Sequence, residues 1–285
     1  MTRWMLAAGL ALTLAAGAAH GQPPAALFTD PPANAAHPAR MEVLHIPSGG
    51  VDINGIAYLA SGAGPHPTVV LFHGLPGNEK NLDLAQAIRR AGWNVVTINY
   101  RGSWGSPGSF SFRGNLADAK ATLAYVRAPE RATALGIDTK KLVVIGHSMG
   151  GWVTSQTAGS DPDVAGAVLI SAADMGQLAA APEAARLNTA RSNMESLAAT
   201  PEGMAKEMTT LADASFAAAA PGLAKKPLLV LTSDDGLAPV AEALAMDVKT
   251  RGGRVAIVHV ATDHGWNSAR IRLETEVLTW LAKLP

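Results

Sequence analysis

Cysteine is absent from the 285 residues, which excludes disulfides, thiolate metal sites and a cysteine nucleophile. Neither sign of charge is in surplus: 23 Lys and Arg stand against 23 Asp and Glu. A chain without a basic excess lacks the electrostatic footprint of a nucleic-acid binder, and no polybasic segment is present to hold an anionic bilayer. Aromatic residues are few, at 5%, while alanine is abundant. No internal repeat appears. The leading apolar run, residues 6–19, is short for a bilayer span.

That run follows Arg3 and ends in small residues, Ala16-Gly17-Ala18-Ala19-His20-Gly21. A short positive start, an apolar middle and a small-residue end build a secretory signal peptide. Residues 1–21 are therefore expected to be a leader, and the mature protein to be periplasmic or secreted, with no membrane span. Residues 22–40 carry Pro23, Pro24, Pro31, Pro32 and Pro38, the composition of an extended tether or surface strap.

From Met41 the pattern becomes regular. Residues 41–46 and 51–59 read as two strands joined by Pro47-Ser48-Gly49-Gly50, a hairpin signal. Strands follow at 68–72, 93–100, 142–145, 164–171, 227–231 and 254–260, several of them in apolar runs, alternating with helical spacings such as Leu84, Ala85, Ile88 and Leu116, Ala119, Leu123, Val126. Apolar runs without alternation mark strands buried on both faces. The expected fold is α/β, a mostly parallel doubly wound sheet with an antiparallel N-terminal hairpin, in one domain over 41–285. Ser268 is the expected cap of a final helix whose apolar face is Ile271, Val277, Trp280, Leu281 and Leu284. Residues 175–226 interrupt the rhythm with an alanine-rich helical stretch broken by Pro182, Pro201 and Pro221. An insertion of this length after a strand's carboxyl end is expected to cap a binding site.

The chemistry centres on Gly146-His147-Ser148-Met149-Gly150, directly after the apolar run Leu142-Val143-Val144-Ile145. Strand, G-x-S-x-G and helix in that order form a nucleophile elbow. The glycines permit a tight turn in which the serine backbone is strained and its hydroxyl stands at the strand's end. A serine hydroxyl needs a base and an acid that orients the base. Of eight histidines, His20 lies in the leader, and His37, His45 and His66 precede the chemistry. His147 lies inside the turn, pointing away from the serine's cleft side, and His259 lies within a strand as a packed core residue. His73 ends a strand and reads as structural. His264, in Asp263-His264-Gly265-Trp266 after the last strand, is the candidate base. Asp234 and Asp235 both follow the strand 227–231, giving the chain order Ser, Asp, His of the elbow class. The residues alone leave either as the acid, with Asp174 as an outside candidate. The oxyanion donors are expected to be the amides of Met149, at a helix N-terminus, and of Leu75, beside Gly74. Each such donor contributes about 3 kcal/mol in the transition state. Trp104, Trp152 and Trp266 lie near these loops, as pocket walls or as core. The scheme calls for no cofactor and no metal.

With these residues in hand the chain resembles the α/β-hydrolase superfamily over nearly all of 41–285. The likeness rests on His73-Gly74, Tyr100-Arg101-Gly102, the elbow, the acid turn and the terminal histidine. It is most similar to single-domain bacterial hydrolases related to prolyl oligopeptidases and to dienelactone-hydrolase-like esterases, through Asp263-His264-Gly265 and Arg101-Gly102-Ser103-Trp104-Gly105-Ser106-Pro107-Gly108. The resemblance implies Asp235 as the acid, since family members carry an aspartate four residues before the proline of this turn, here Pro239; it departs at Thr232, where glycine is usual. Together with the leader, the expectation is an exported serine hydrolase cleaving carboxylic esters of small acyl substrates. The alternatives are a small peptidase or amidase with the same machinery and a catalytically silent binding protein of the same fold.

Overall fold

A computed structural model describes residues 23–285; the expected leader lies outside the described residues. In chain order the elements are β1 (Arg40–Ser48), β2 (Val51–Leu59), β3 (His66–Phe72), α1 (Leu82–Arg90), β4 (Asn94–Ile98), α2 (Phe112–Arg127), α3 (Pro129–Leu135), β5 (Ile137–His147), α4 (Met149–Ser160) and β6 (Gly166–Ile170). There follow α5 (Glu183–Arg191), α6 (Pro201–Met208), α7 (Phe216–Leu223), β7 (Leu228–Thr232), α8 (Ala238–Thr250), β8 (Val255–His259) and α9 (Arg270–Leu281). The strands form one eight-stranded sheet in the order β1-β2-β4-β3-β5-β6-β7-β8. β2 pairs antiparallel with both β1 and β4, and every other pairing is parallel.

The central strands are mostly apolar because both faces are covered. Val70, Phe72 and Val144 join the core shared with α2, α4, α7 and α8. Val69, Leu71, Val143 and Ile145 turn to the other face and pack with α1 and α9. Side chains alternate across a strand, so with a helix layer on each side a polar residue needs its own partner, as Asn94 has in the Ala60 amide and the Leu135 carbonyl. Caps define the helix starts: Ser111 accepts from the Gly114 amide at 2.9 Å to open α2, and Thr200 and Ser215 do the same for α6 and α7.

Several details depart from the sequence pattern. Ser268 does not cap α9; its hydroxyl pairs with Thr262 Oγ1 at 2.9 Å, and Ala269 occupies the cap position. Ile271 is exposed, and the buried face of α9 is Leu273, Val277, Leu278 and Leu281. α3 and α8 have no counterpart in the sequence reading. The proline-rich stretch lies as a strap: Leu27 is buried, and Arg90 Nε donates to the Ala26 carbonyl at 2.6 Å.

The 175–226 stretch is helical as expected, but it divides in two. Its last helix, α7, belongs to the main layer, with Phe216, Ala219, Ala220 and Leu223 in the core. The part before it crosses the carboxyl end of the sheet. There Trp104 N donates to Ser196 O at 3.0 Å, Ala198 N to Gly102 O at 2.7 Å and Phe110 N to Ala198 O at 3.0 Å. The loop after β4 is itself anchored by Arg101, whose Nε meets the buried Asp118 at 2.6 Å, while the Ser48 hydroxyl donates to the same carboxylate. Among the described residues no helix is long and apolar enough to cross a membrane.

Candidate active site

Ser148 stands between the end of β5 and the start of α4 with φ 59° and ψ −123°. This left-handed φ is costly for a non-glycine residue. Three backbone bonds hold it: Ser148 N donates to Ile170 O, and Ser148 O accepts from Gly151 N and Ala173 N. A β-carbon at Gly146 would lie 1.9 Å from the Gly150 oxygen, so the expected tightness of the turn is real. Gly74 approaches from β3; a β-carbon there would lie 2.8 Å from Ser148 Cβ and 3.4 Å from Oγ. The amides of Leu75 and Met149 donate to no group among the described residues, and Met149 opens α4, where the helix dipole favours negative charge.

His264 sits in the loop between β8 and α9. Its Nδ1 lies 2.7 Å from Asp235 Oδ2. The carboxylate accepts, so Nδ1 carries the proton and Nε2 is left free to accept one. Asp235 Oδ1 accepts from Leu237 N at 2.8 Å. Burial alone would raise this carboxyl. The bond from His264, the Leu237 amide, the charge near His264 and the Ser233 hydroxyl outweigh burial and hold it below the ordinary carboxylate value.

The other candidates are placed elsewhere. Asp234 turns outward and meets His259 Nε2 at 3.0 Å. His259 is not a core residue: β8 is an edge strand, and the ring is exposed, with Nδ1 against Thr232 Oγ1 at 2.9 Å. Asp174 is committed to the backbone, accepting from Gly176 N and Phe216 N. Trp152 and Trp266 are fully buried core residues, their indole N–H groups donated to Ala214 O and Ser171 Oγ. Trp104 is half-buried; it donates to Pro76 O at 2.6 Å and carries Lys80 Nζ over its ring at 4.4 Å.

Two residues that the sequence reading did not place at the site touch it. The His147 ring is buried against His264, with centroids 4.7 Å apart. Arg270 donates to Gly265 O at 3.0 Å, to Asn81 Oδ1 at 3.0 Å and to both oxygens of Asp83. Arg270 had a legible signal: a cation in the first turn of a helix opposes the dipole, so a carboxylate must answer it. His147 had none, because its partner lies more than a hundred residues away.

His73 and His147 are both buried, and their pKa values are lowered to about 4. For each the main cause is burial. Lys80 adds to it at His73, and His264 and Arg270 add to it at His147. A depressed histidine takes its proton in the unfolded chain first, so stability present above pH 6.5 is lost as pH falls towards 4. Each histidine withdraws about 3 kcal/mol over that window. The depressed carboxyls of Asp83, Asp161 and Asp235 lose their contribution only below the ordinary aspartate range. Asp174 and Glu274, raised by burial, oppose the trend. Urea unfolding is therefore expected to show a clear loss of stability from pH 7 to pH 4.5. A change under about 1 kcal/mol would contradict both buried histidines.

A groove of about 730 Å³ lined by Leu59, His66, Asn94, Arg127 and Leu135 opens at the amino ends of β3 and β5. Ligands of open α/β sheets bind beyond the carboxyl ends, where Ser148, Asp235 and His264 lie, at the opposite end of the sheet from this groove.

A sheet of this order with a strained serine after β5 and an Asp–His pair after β7 and β8 defines a class, and the comparisons agree with it. The profile of the alpha/beta hydrolase family matches residues 69–274, and the chain belongs to that family. The alpha/beta hydrolase domain-containing protein WAV2 of Arabidopsis thaliana is 31% identical over 106 residues, covering 36% of this chain and 33% of WAV2. The chain thus spans about a third of that relative's length. Among solved structures, EstE1, a thermophilic carboxylesterase cloned from a metagenomic library, is similar with a TM-score of 0.63 at 24% identity, over 87% of this chain and 91% of EstE1. The Pyrococcus horikoshii acylaminoacyl peptidase is similar with a TM-score of 0.65 at 18% identity, over 87% of this chain and 42% of that one. At these identities the two structures share the fold.

Proposed function

We propose that the protein is a serine hydrolase that cleaves carboxylic esters of small acyl substrates through a seryl acyl-enzyme. The observation that carries this reading is the Asp235–His264 bond of 2.7 Å on the same edge of the sheet as the strained Ser148. In this scheme His264 Nε2 takes the Ser148 proton as Oγ attacks the ester carbonyl. The Leu75 and Met149 amides donate to the oxyanion, and the imidazolium formed is balanced by Asp235. The alcohol leaves with the proton from His264, and water, deprotonated in turn by His264, releases the acid. The leader-like start of the sequence supports export of this activity.

The test is a fluorophosphonate probe followed by peptide mass mapping. The expected result is a single adduct on Ser148, competed by short-chain aryl esters that the protein hydrolyses. Labelling at another residue, or hydrolysis that survives full labelling of Ser148, would sink the reading.

A further inference from the structure

The loop that carries His264 is gripped at two successive carbonyls. His147 Nε2 lies 2.8 Å from the His264 oxygen, and Arg270 Nη1 donates to the Gly265 oxygen at 3.0 Å. A carbonyl can only accept, so Nε2 of His147 carries the proton and Nδ1 is bare. That Nδ1 is buried without a partner among the described residues. The imidazole is thus a single-purpose donor, oriented by one bond. The titratable and charged groups facing it are His264, Arg270 and Asp235.

The consequence follows from chain connectivity. His147 is bonded covalently to Ser148, and its ring is hydrogen-bonded to the residue that bears the base. Proton transfer needs Nε2 of His264 within about 3 Å of Oγ, and a misplacement of about 1 Å can cost 100-fold. Asp235 orients the His264 ring, but the ring pivots on its own backbone. The backbone at His264 is tied to the elbow through His147.

We infer that His147 is a positioning residue: its Nε2–H, donated to the His264 carbonyl, sets the place of the base relative to Ser148. The inference rests on the serine-hydrolase reading above. A residue present only for packing would be replaceable by any ring of similar volume.

The test compares His147→Phe, which keeps a ring and loses the donor, with His147→Gln, which keeps a donor. Rates are read on p-nitrophenyl acetate and by fluorophosphonate labelling, and backbone hydrogen exchange is read over residues 262–267. The expected result for His147→Phe is a kcat lower by about 10- to 100-fold with KM within about twofold, labelling slowed in parallel, and faster exchange in 262–267 but not in β7 or α4. His147→Gln is expected to recover most of the kcat. Parent-like kcat in His147→Phe, or equal losses in both variants with equally lowered melting temperatures, would overturn the inference. If the parent protein neither hydrolyses the ester nor labels, the serine-hydrolase reading has failed. The exchange measurement then still decides the positioning role, since unchanged exchange over 262–267 in His147→Phe overturns it.

Discussion

Asp235→Asn is expected to lower kcat for ester hydrolysis by about 10⁴-fold, the scale seen when the orienting carboxylate of a serine triad is lost. Asp234→Asn is expected to change it by less than about twofold. The two residues are neighbours of the same type, so the contrast isolates geometry. Asp235 has a side chain only 4% exposed and accepts the Nδ1 proton of His264 at 2.7 Å. An asparagine there can offer its amide N–H to Nδ1, which moves the ring proton to Nε2. His264 would then face Ser148 with a donor where an acceptor is needed, and KM would change little. The Asp234 side chain, 62% exposed, meets the exposed His259 and no other group among the described residues. Steady-state kinetics of the two variants on one aryl ester decide the matter. Comparable losses in both would remove Asp235 from its assigned role.

Gly150→Ala is expected to abolish soluble folded protein, or to cost at least about 4 kcal/mol where some survives. A β-carbon at Gly150 would lie 2.2 Å from the Phe72 oxygen and 2.6 Å from the His73 oxygen. Both obstacles are backbone at the carboxyl end of β3, so no rotamer change relieves the overlap. Moving β3 away would disturb its pairing with β5 and displace Gly74 from Ser148. The control is Gly252→Ala: Gly252 also has a positive φ, 86°, but a β-carbon there meets nothing within 4 Å, so only the local conformational cost applies, about 1 kcal/mol. Expression yield and urea midpoints of both variants check the contrast; a Gly150→Ala protein as stable as the control would contradict the close approach.

Most of the fold was legible because its two strongest signals are local. A strand covered on both faces is largely apolar, and 69–72, 142–145 and 228–231 are apolar at every position. The elbow was legible because a strained serine between a strand and a helix demands glycine on both sides. Less was legible where residues answer to distant partners. Ile271 and Leu273 are equally apolar, and only the seat of α9 against α1 determines which is buried. His259 reads as core inside an apolar strand, and becomes exposed because β8 has no neighbour on its outer edge among the described residues. α8 is harder to read because two of the four residues on its buried face, Ala241, Leu244, Ala245 and Val248, are alanine, which weakens the amphipathic contrast.

The sequence by itself determined the α/β class, the serine at the turn and the histidine that follows the last strand, since each depends on residue types within a few positions of one another. Which of Asp234 and Asp235 meets His264, the burial of Trp152 and Trp266, and the approach of His147 and Arg270 to the His264 loop were decided only by the tertiary structure. Those outcomes depend on which backbone carbonyl or carboxylate arrives within about 3 Å of a given donor. That distance is set by the packing of helices against the sheet, and no short stretch of sequence contains it.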